Sequence, residues 1–300
     1  MAAVVSWRFE TSRVGISGTL GRIPAALRLV TRSRLGAFGL MIVVAFILIG
    51  IFGAWLAPHD PNAINVRARL APPSWTNLLG TDQLGRDILS RVLVGTRVSL
   101  LVALSSILLA AALGILMGLA SGYGPRWLDR ILIAIFDTVR SFPTLMFGIA
   151  VIALFGPSIW TVIAIIVTTT FPIYARIVRT QTMAIKNTEF ILAERSIGAS
   201  PVRIAFVHVL PNIVGQLFIL ASMDVPVVIM IESGLSFLGL GIRPPNASWG
   251  TILNDGYAFV RNSPWPVIAG GVPLILTTIG FTFLGETLRD LLDPKLRNER

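Results

Sequence analysis

The stretch EFILAERSIGASPVRIAFVHVLPN, residues 189–212, is a polar island between two long apolar runs, and its reading decides the fold. Beginning at Glu189, apolar residues recur at Phe190, Ala193 and Ile197, a spacing that predicts one face of a short helix over 189–197. Gly198 stands where a left-handed residue closes such a helix. After Ala199, Ser200 reads as the N-cap of a second helix with Pro201 at its first position. That helix is expected to stop near Val209, because Pro211 biases Leu210 away from helical backbone. A helical hairpin between two membrane spans is a shape suited to docking a partner.

Outward from the hairpin, composition names the class. Of the residues, 54% are hydrophobic and only 13% are charged, and the mean hydropathy is +0.78. Such a chain is a polytopic membrane protein rather than a soluble domain. It has no cysteine, which excludes a disulfide framework and a thiolate metal site. The net charge of +10 comes almost wholly from Arg. These residues flank apolar runs, where orientation in the membrane explains them better than nucleic-acid binding does.

The apolar runs predict six spans, over 35–57, 100–120, 131–155, 158–178, 213–231 and 267–284. Residues 1–34 carry Arg8, Arg13, Arg22, Arg28, Arg32 and Arg34 against Glu10, and read as a cytoplasmic tail. The 35–57 run is too long for a signal peptide and lacks a small-residue cleavage site. An extracytoplasmic loop follows at 58–97. Its second half places Ile88, Leu89, Val92 and Leu93 beside Arg86, Asp87, Arg91 and Arg97, the pattern of an amphipathic helix at a membrane surface. A five-helix core is expected over 98–288, with the cytoplasmic loop at 186–212, another extracytoplasmic loop at 241–266 and a cytoplasmic tail at 289–300. Pro172 is expected to kink the fourth span.

Ionisable residues inside apolar spans face protein or water, because lipid penalises charge. Asp137 and Arg140 are three apart and are expected to pair on one helix face, as a structural brace or as part of a pore lining. Asp224 has no local partner and the bend former Pro226 stands two residues on, which suits a polar translocation surface or an interhelical hydrogen bond. Glu232, before a Gly-rich run, fits a brace for the re-entering chain or a substrate contact. His59 has no companion ligands for a metal, and His208 is expected to complement a helix C-terminus. No Gly-x-Ser-x-Gly elbow is present, and neither Lys186 nor Lys295 follows a glycine as a phosphate-binding loop requires. Catalysis and ATP binding by that route are therefore not expected of this chain, and an ATP-driven process would need a separate motor that grips the hairpin.

The hairpin resembles the EAA loop of ABC-importer permeases through Glu189, Ala193, Gly198, Ala199, Ser200 and the closing Val-Leu-Pro-Asn at 209–212. Three further stretches are similar to the C-type permease subunit of dipeptide and oligopeptide importers. They are LGTDQLGRDILSR at 79–91, LSFLGLG at 235–241 with PPNASWG at 244–250, and LRDLLDPKLR at 288–297. One feature departs from the family: Leu192-Ala193-Glu194 replaces Glu-Ala-Ala, so the acid lies two residues later, about 200° round the helix.

The resemblance implies an all-α, type I importer (MetI-like) fold in the bacterial inner membrane with both termini cytoplasmic. It implies a homologous B-type permease, two ATP-binding subunits that hold ATP and Mg, an extracytoplasmic solute-binding protein and a peptide substrate carried by alternating access. It assigns ATPase docking to Glu189, Phe190, Ala193, Glu194, Gly198, Ala199, Ser200, Pro201 and Pro211, and no cofactor to this chain. Nickel chelates, haem and glycosides are cargoes of related importers. A proton-coupled carrier using Asp137, Asp224 and Glu232 and a non-transporting scaffold also fit the spans, but leave the hairpin without a purpose.

Overall fold

The computed structural model describes residues 30–31 and 33–292. The expectations for most of the N-terminal tail, for the end of the C-terminal tail and for the last part of the 288–297 motif lie outside the described residues. Nine helices of eight residues or more carry the chain among the described residues: α1 (Arg34–Leu56), α2 (Ile88–Tyr123), α3 (Arg126–Arg140), α4 (Thr144–Phe155), α5 (Ile159–Ile185), α6 (Glu189–Ser196), α7 (Pro201–Phe237), α8 (Trp249–Tyr257) and α9 (Trp265–Leu292). Polar caps start several of them. Ser33 accepts a hydrogen bond from Gly36 N, Asp87 from Ser90 N, Ser158 from Thr161 N and Ser248 from Thr251 N.

Five helices are long and apolar enough to cross a membrane, and the α3–α4 pair makes a sixth candidate if it is one span. The apolar run at 131–155 predicted one span; the structure divides it between α3 and α4, which meet at an 89° bend. Pro143 causes the break, since it has no N–H to give and biases Phe142 away from helical backbone. Packing then decides how the pair counts. Gly114, Gly118 and Gly122 of α2 lie against Tyr174, Ala175 and Thr182 of α5 in the same order, so the two helices run parallel. The intervening α3 and α4 must carry the chain back across the bundle. Phe136 of α3 meets Phe171 of α5 on the way, and Gly148 of α4 lies against Leu235 near the far end of α7.

The α2–α5 seam is built from small residues. A Cβ at Gly118 would lie 2.5 Å from the Ala175 carbonyl oxygen, and one at Gly122 would lie 2.7 Å from Thr182 Cβ. In lipid, where apolar burial does not drive helix pairing, close backbone approach of this kind holds helices together. The stripe is legible in the sequence as GILMGLASG at 114–122. At the other side of the bundle, Gly36 packs on Thr287 and Gly53 on Leu93, so α1 starts and α9 ends at the same end of the molecule as the hairpin.

Pro211 does not end the second hairpin helix. Residues Pro201–Phe237 form one continuous helical path with a π-turn at Ile204–Val209. Leu210 N–H bonds to Ala205 O, five residues back. That wide turn accommodates Pro211, whose ring would press on the Val207 carbonyl in a regular helix. Pro172 and Pro226 likewise lie inside unbroken helices.

Candidate functional site

The hairpin is fixed to the bundle by one face of α6 and open on the other. Ile191 is fully buried and anchors the helix, a role its spacing did not announce. The face that carries Phe190, Ala193 and Ile197 is exposed, as are Leu192 and Val202 beside it. Arg195 crosses to the end of α2, where its guanidinium lies 5.4 Å from the Tyr123 ring centroid and Nη2 donates to the Tyr123 hydroxyl at 3.2 Å. Gly198 adopts φ +87°, with Ala199 N–H bonded to Glu194 O and Gly198 N–H to Arg195 O, both at 3.0 Å. This is a complete Schellman closure. Ser200 accepts from Arg203 N, and Pro201 sits at the first turn of α7.

The displaced acid faces inward. Glu194 Oε1 lies 3.6 Å from His208 Nε2, and the Phe190 ring stands edge-on to the same imidazole at 6.5 Å. His208 was expected at a helix C-terminus, but it lies inside the π-turn of α7 and ties that turn to α6. Asn212 Nδ2, one turn on, donates to the His208 carbonyl. Glu189 begins α6 beside the N-cap Thr188, and Pro211 is exposed on the turn that follows the π segment.

The ionisable residues of the spans separate into different settings. Asp137 does not pair with Arg140. It pairs with Arg176 of α5, and both side chains are more than half exposed, 59% and 54%. The bend after α3 leaves Arg140 on the last turn with no partner among the described residues, while α5 offers Arg176 across a tertiary contact. Nearer the hairpin, Asp129 of α3 takes a bidentate pair from Arg179, with Nε at 2.5 Å and Nη2 at 2.7 Å. Asp224 faces Tyr174 of α5 closely enough to interact, yet Asp224 Oδ2 and the Tyr174 hydroxyl make no well-formed hydrogen bond. Glu232 is fully buried and accepts from Ser236 at 2.8 Å and from Ser99 and Ser233 at 3.3 Å.

At the end opposite the hairpin, residues 58–87 and α8 form a folded cap that sequence reading missed. The 88–97 segment, expected at a membrane surface, is instead the buried start of α2: Ile88, Arg91 and Val92 are enclosed. Arg91, with Arg86 just before the helix, is neutralised inside the cap. Arg86 Nε donates to Asp82 at 2.6 Å, and Arg86 and Arg91 both donate to Asp255 Oδ2, at 3.0 and 3.1 Å. Asp255 comes from α8, far along the chain, and only folding brings it here. Asp82 also accepts from the Leu84 and Arg86 amides. Gly85 has φ +74°, and a Cβ there would collide with the Asn65 carbonyl oxygen. Trp249 seats α8 by donating from Nε1 to Thr96 and from its backbone to Ser99. The Gln-Leu-Gly-Arg-Asp run at 83–87 holds the local signal for this turn.

Residues 110–298 match the family described as binding-protein-dependent transport system inner membrane component. The chain belongs to this family. Residues 25–73 of the permease also match the N-terminal TM domain of oligopeptide transport permease C. It is 36% identical over 273 residues to the dipeptide transport system permease protein DppC of Alkalihalophilus pseudofirmus, covering 91% of this chain and 90% of that one. It is 35% identical to the di/tripeptide transport system permease protein DppC of Pseudomonas aeruginosa, covering 87% and 88%. The probable D,D-dipeptide transport system permease protein DdpC of Escherichia coli is 38% identical over 85% of this chain and 86% of its own length. Among solved structures, an inward-facing MetNI methionine ABC transporter superposes with a TM-score of 0.56 at 18% identity, over 68% of this chain and 97% of the other. The permease is thus a polytopic inner-membrane subunit with an ABC-importer permease fold.

Proposed function

We propose that this permease and a homologous B-type permease form the path of an ATP-driven importer of dipeptides or oligopeptides. Peptide arrives from an extracytoplasmic solute-binding protein on the cap side. Two ATP-binding subunits, which hold the ATP and Mg, grip the hairpin from the cytoplasm. The observation that carries this reading is α6: Ile191 is its one buried side chain, Glu194 and Arg195 add polar contacts to the bundle, and Phe190, Leu192, Ala193 and Ile197 stay exposed for a partner. The names of the relatives support the cargo class.

In this reading ATP binding draws the motors together, the docked hairpins move as levers, and the bundle passes between inward-open and outward-open states. Such coupling requires the motor states to hold the hairpin with different affinity. Because α6 joins α2 through Arg195 and Tyr123, and joins α7 through Glu194 and His208, its displacement reaches both helices. Asp137, Arg140 and Asp224 are assigned to polar surface along the path, whereas Glu232, held by three serines, is assigned to bracing the α2–α7 contact.

Gly198 provides the test. Space is open around it, since a Cβ would meet nothing within 4 Å, so substitution there acts through φ alone. Gly198→Val strains the closure by about 1–2 kcal/mol and is expected to lower peptide uptake and peptide-stimulated ATPase in proteoliposomes. Gly198→Asn, which tolerates left-handed backbone, restores both. Unchanged uptake and ATPase in Gly198→Val would refute the docking role of the turn.

A further inference from the structure

On the outside of the bundle α1 and α2 enclose a groove of 560 Å³ lined by Ile47, Gly50, Ile51, Trp55, Leu101 and Arg97. Arg97 is its single charge. No acid pairs with it among the described residues, although Arg91 on the same helix and Arg86 just before it are both neutralised. A charge facing an apolar groove in a membrane bundle needs an anion or water, and the rest of the lining offers neither.

Depth supplies the second observation. At 1.5 Å per residue, α2 with its 36 residues is about 54 Å long, against a hydrocarbon core of about 30 Å. Shared between the two ends, the excess is about 12 Å, close to the rise from Ile88 to Arg97 of about 13 Å. Arg97 therefore lies at the headgroup boundary on the cap side. Side chains on a helix lean toward its N-terminus, which for α2 is the cap, so the guanidinium reaches outward into the headgroups. Trp55, exposed at the end of α1, stands where aromatic residues anchor to that same boundary.

We infer that this groove holds a phospholipid with a net negative headgroup, its phosphodiester on Arg97 and an acyl chain along Ile47, Ile51 and Leu101. A single uncompensated cation favours an anionic headgroup such as phosphatidylglycerol over a zwitterionic one that brings its own ammonium. The site is independent of the cargo and of the motor.

The assembled transporter is reconstituted in nanodiscs that contain both phosphatidylglycerol and phosphatidylethanolamine, and retained lipid is quantified by mass spectrometry after detergent exchange. Phosphatidylglycerol is expected to be enriched about fivefold over the bulk ratio, the effect of one Arg beside an anionic headgroup. Enrichment falls to the bulk ratio in Arg97→Gln and returns in Arg97→Lys. Because the chain lacks cysteine, Ile51→Cys in the otherwise unchanged protein takes a single photoactivatable label. Crosslinking of that label to lipid supports the site. Absence of enrichment in the unmodified transporter, enrichment that survives Arg97→Gln, or a crosslink to a partner permease helix overturns it. None of these readouts measures transport, so failure here leaves the importer reading intact.

Discussion

Asp255 and Asp137 are each paired with arginine, but they differ in what surrounds the pair. Asp255 bridges Arg86 and Arg91, whose side chains are almost enclosed, so removing its charge leaves two guanidinium groups to share Asp82. Breaking a buried pair from one side costs about 3 kcal/mol or more, because the remaining charge has lost its compensation. Asp137 and Arg176 are more than half exposed, and such pairs contribute about 1 kcal/mol or less. Thermal unfolding of the purified assembly is therefore expected to show a large loss of stability for Asp255→Asn and almost none for Asp137→Asn. Equal effects would mean that the cap network carries no special stability. At this scale Arg86 and Arg91 were visible as charges, but with Asp87 and Arg97 their pattern read as an amphipathic helix at a membrane surface. Asp255 had no local signal at all.

At the scale of elements, the α2–α5 seam sets the geometry of the bundle. Its glycines face Tyr174, Ala175, Val178 and Thr182 with no room for a side chain. Gly118→Val is expected to push the helices apart at a cost of about 1–3 kcal/mol, measured as lowered thermal stability and yield of the assembled transporter. Gly215→Ala in α7, where a Cβ would meet nothing within 4 Å, is expected to be neutral or slightly stabilising. If both variants behaved alike, close packing at the seam would not be the cause. The prolines show how far sequence rules reach at this scale. Pro143 breaks a span, whereas Pro211 is absorbed by a π-turn, and Pro172 and Pro226 sit within helices. Neighbouring packing decides between these outcomes, and one residue's backbone preference does not.

Across the whole molecule, parallel packing of α2 and α5 makes the bent α3–α4 pair a crossing, which places the hairpin at one end and the 58–87 cap at the other. Single cysteines test this directly in the cysteine-free chain. Trp75→Cys, in the cap and 97% exposed, is expected to react with a membrane-impermeant maleimide in right-side-out spheroplasts. Ile197→Cys, on the hairpin, is expected to react only after the membrane is opened. Labelling of both before lysis would show that α3 and α4 do not cross together.

The sequence by itself determined the class of protein, because hydropathy and run length report directly on lipid as solvent. It also determined the local closure of the hairpin, since Gly198, Ser200 and Pro201 act within a few residues through backbone conformation and capping. Tertiary structure alone decided which charges meet, because Asp255 with Arg86 and Asp137 with Arg176 are joined by contacts between distant elements. It also decided which face of α6 stays open: Phe190, Ala193 and Ile197 share apolar spacing with a core stripe, yet Ile191 is the apolar side chain of α6 that the bundle buries, and the exposed face is what remains for a partner.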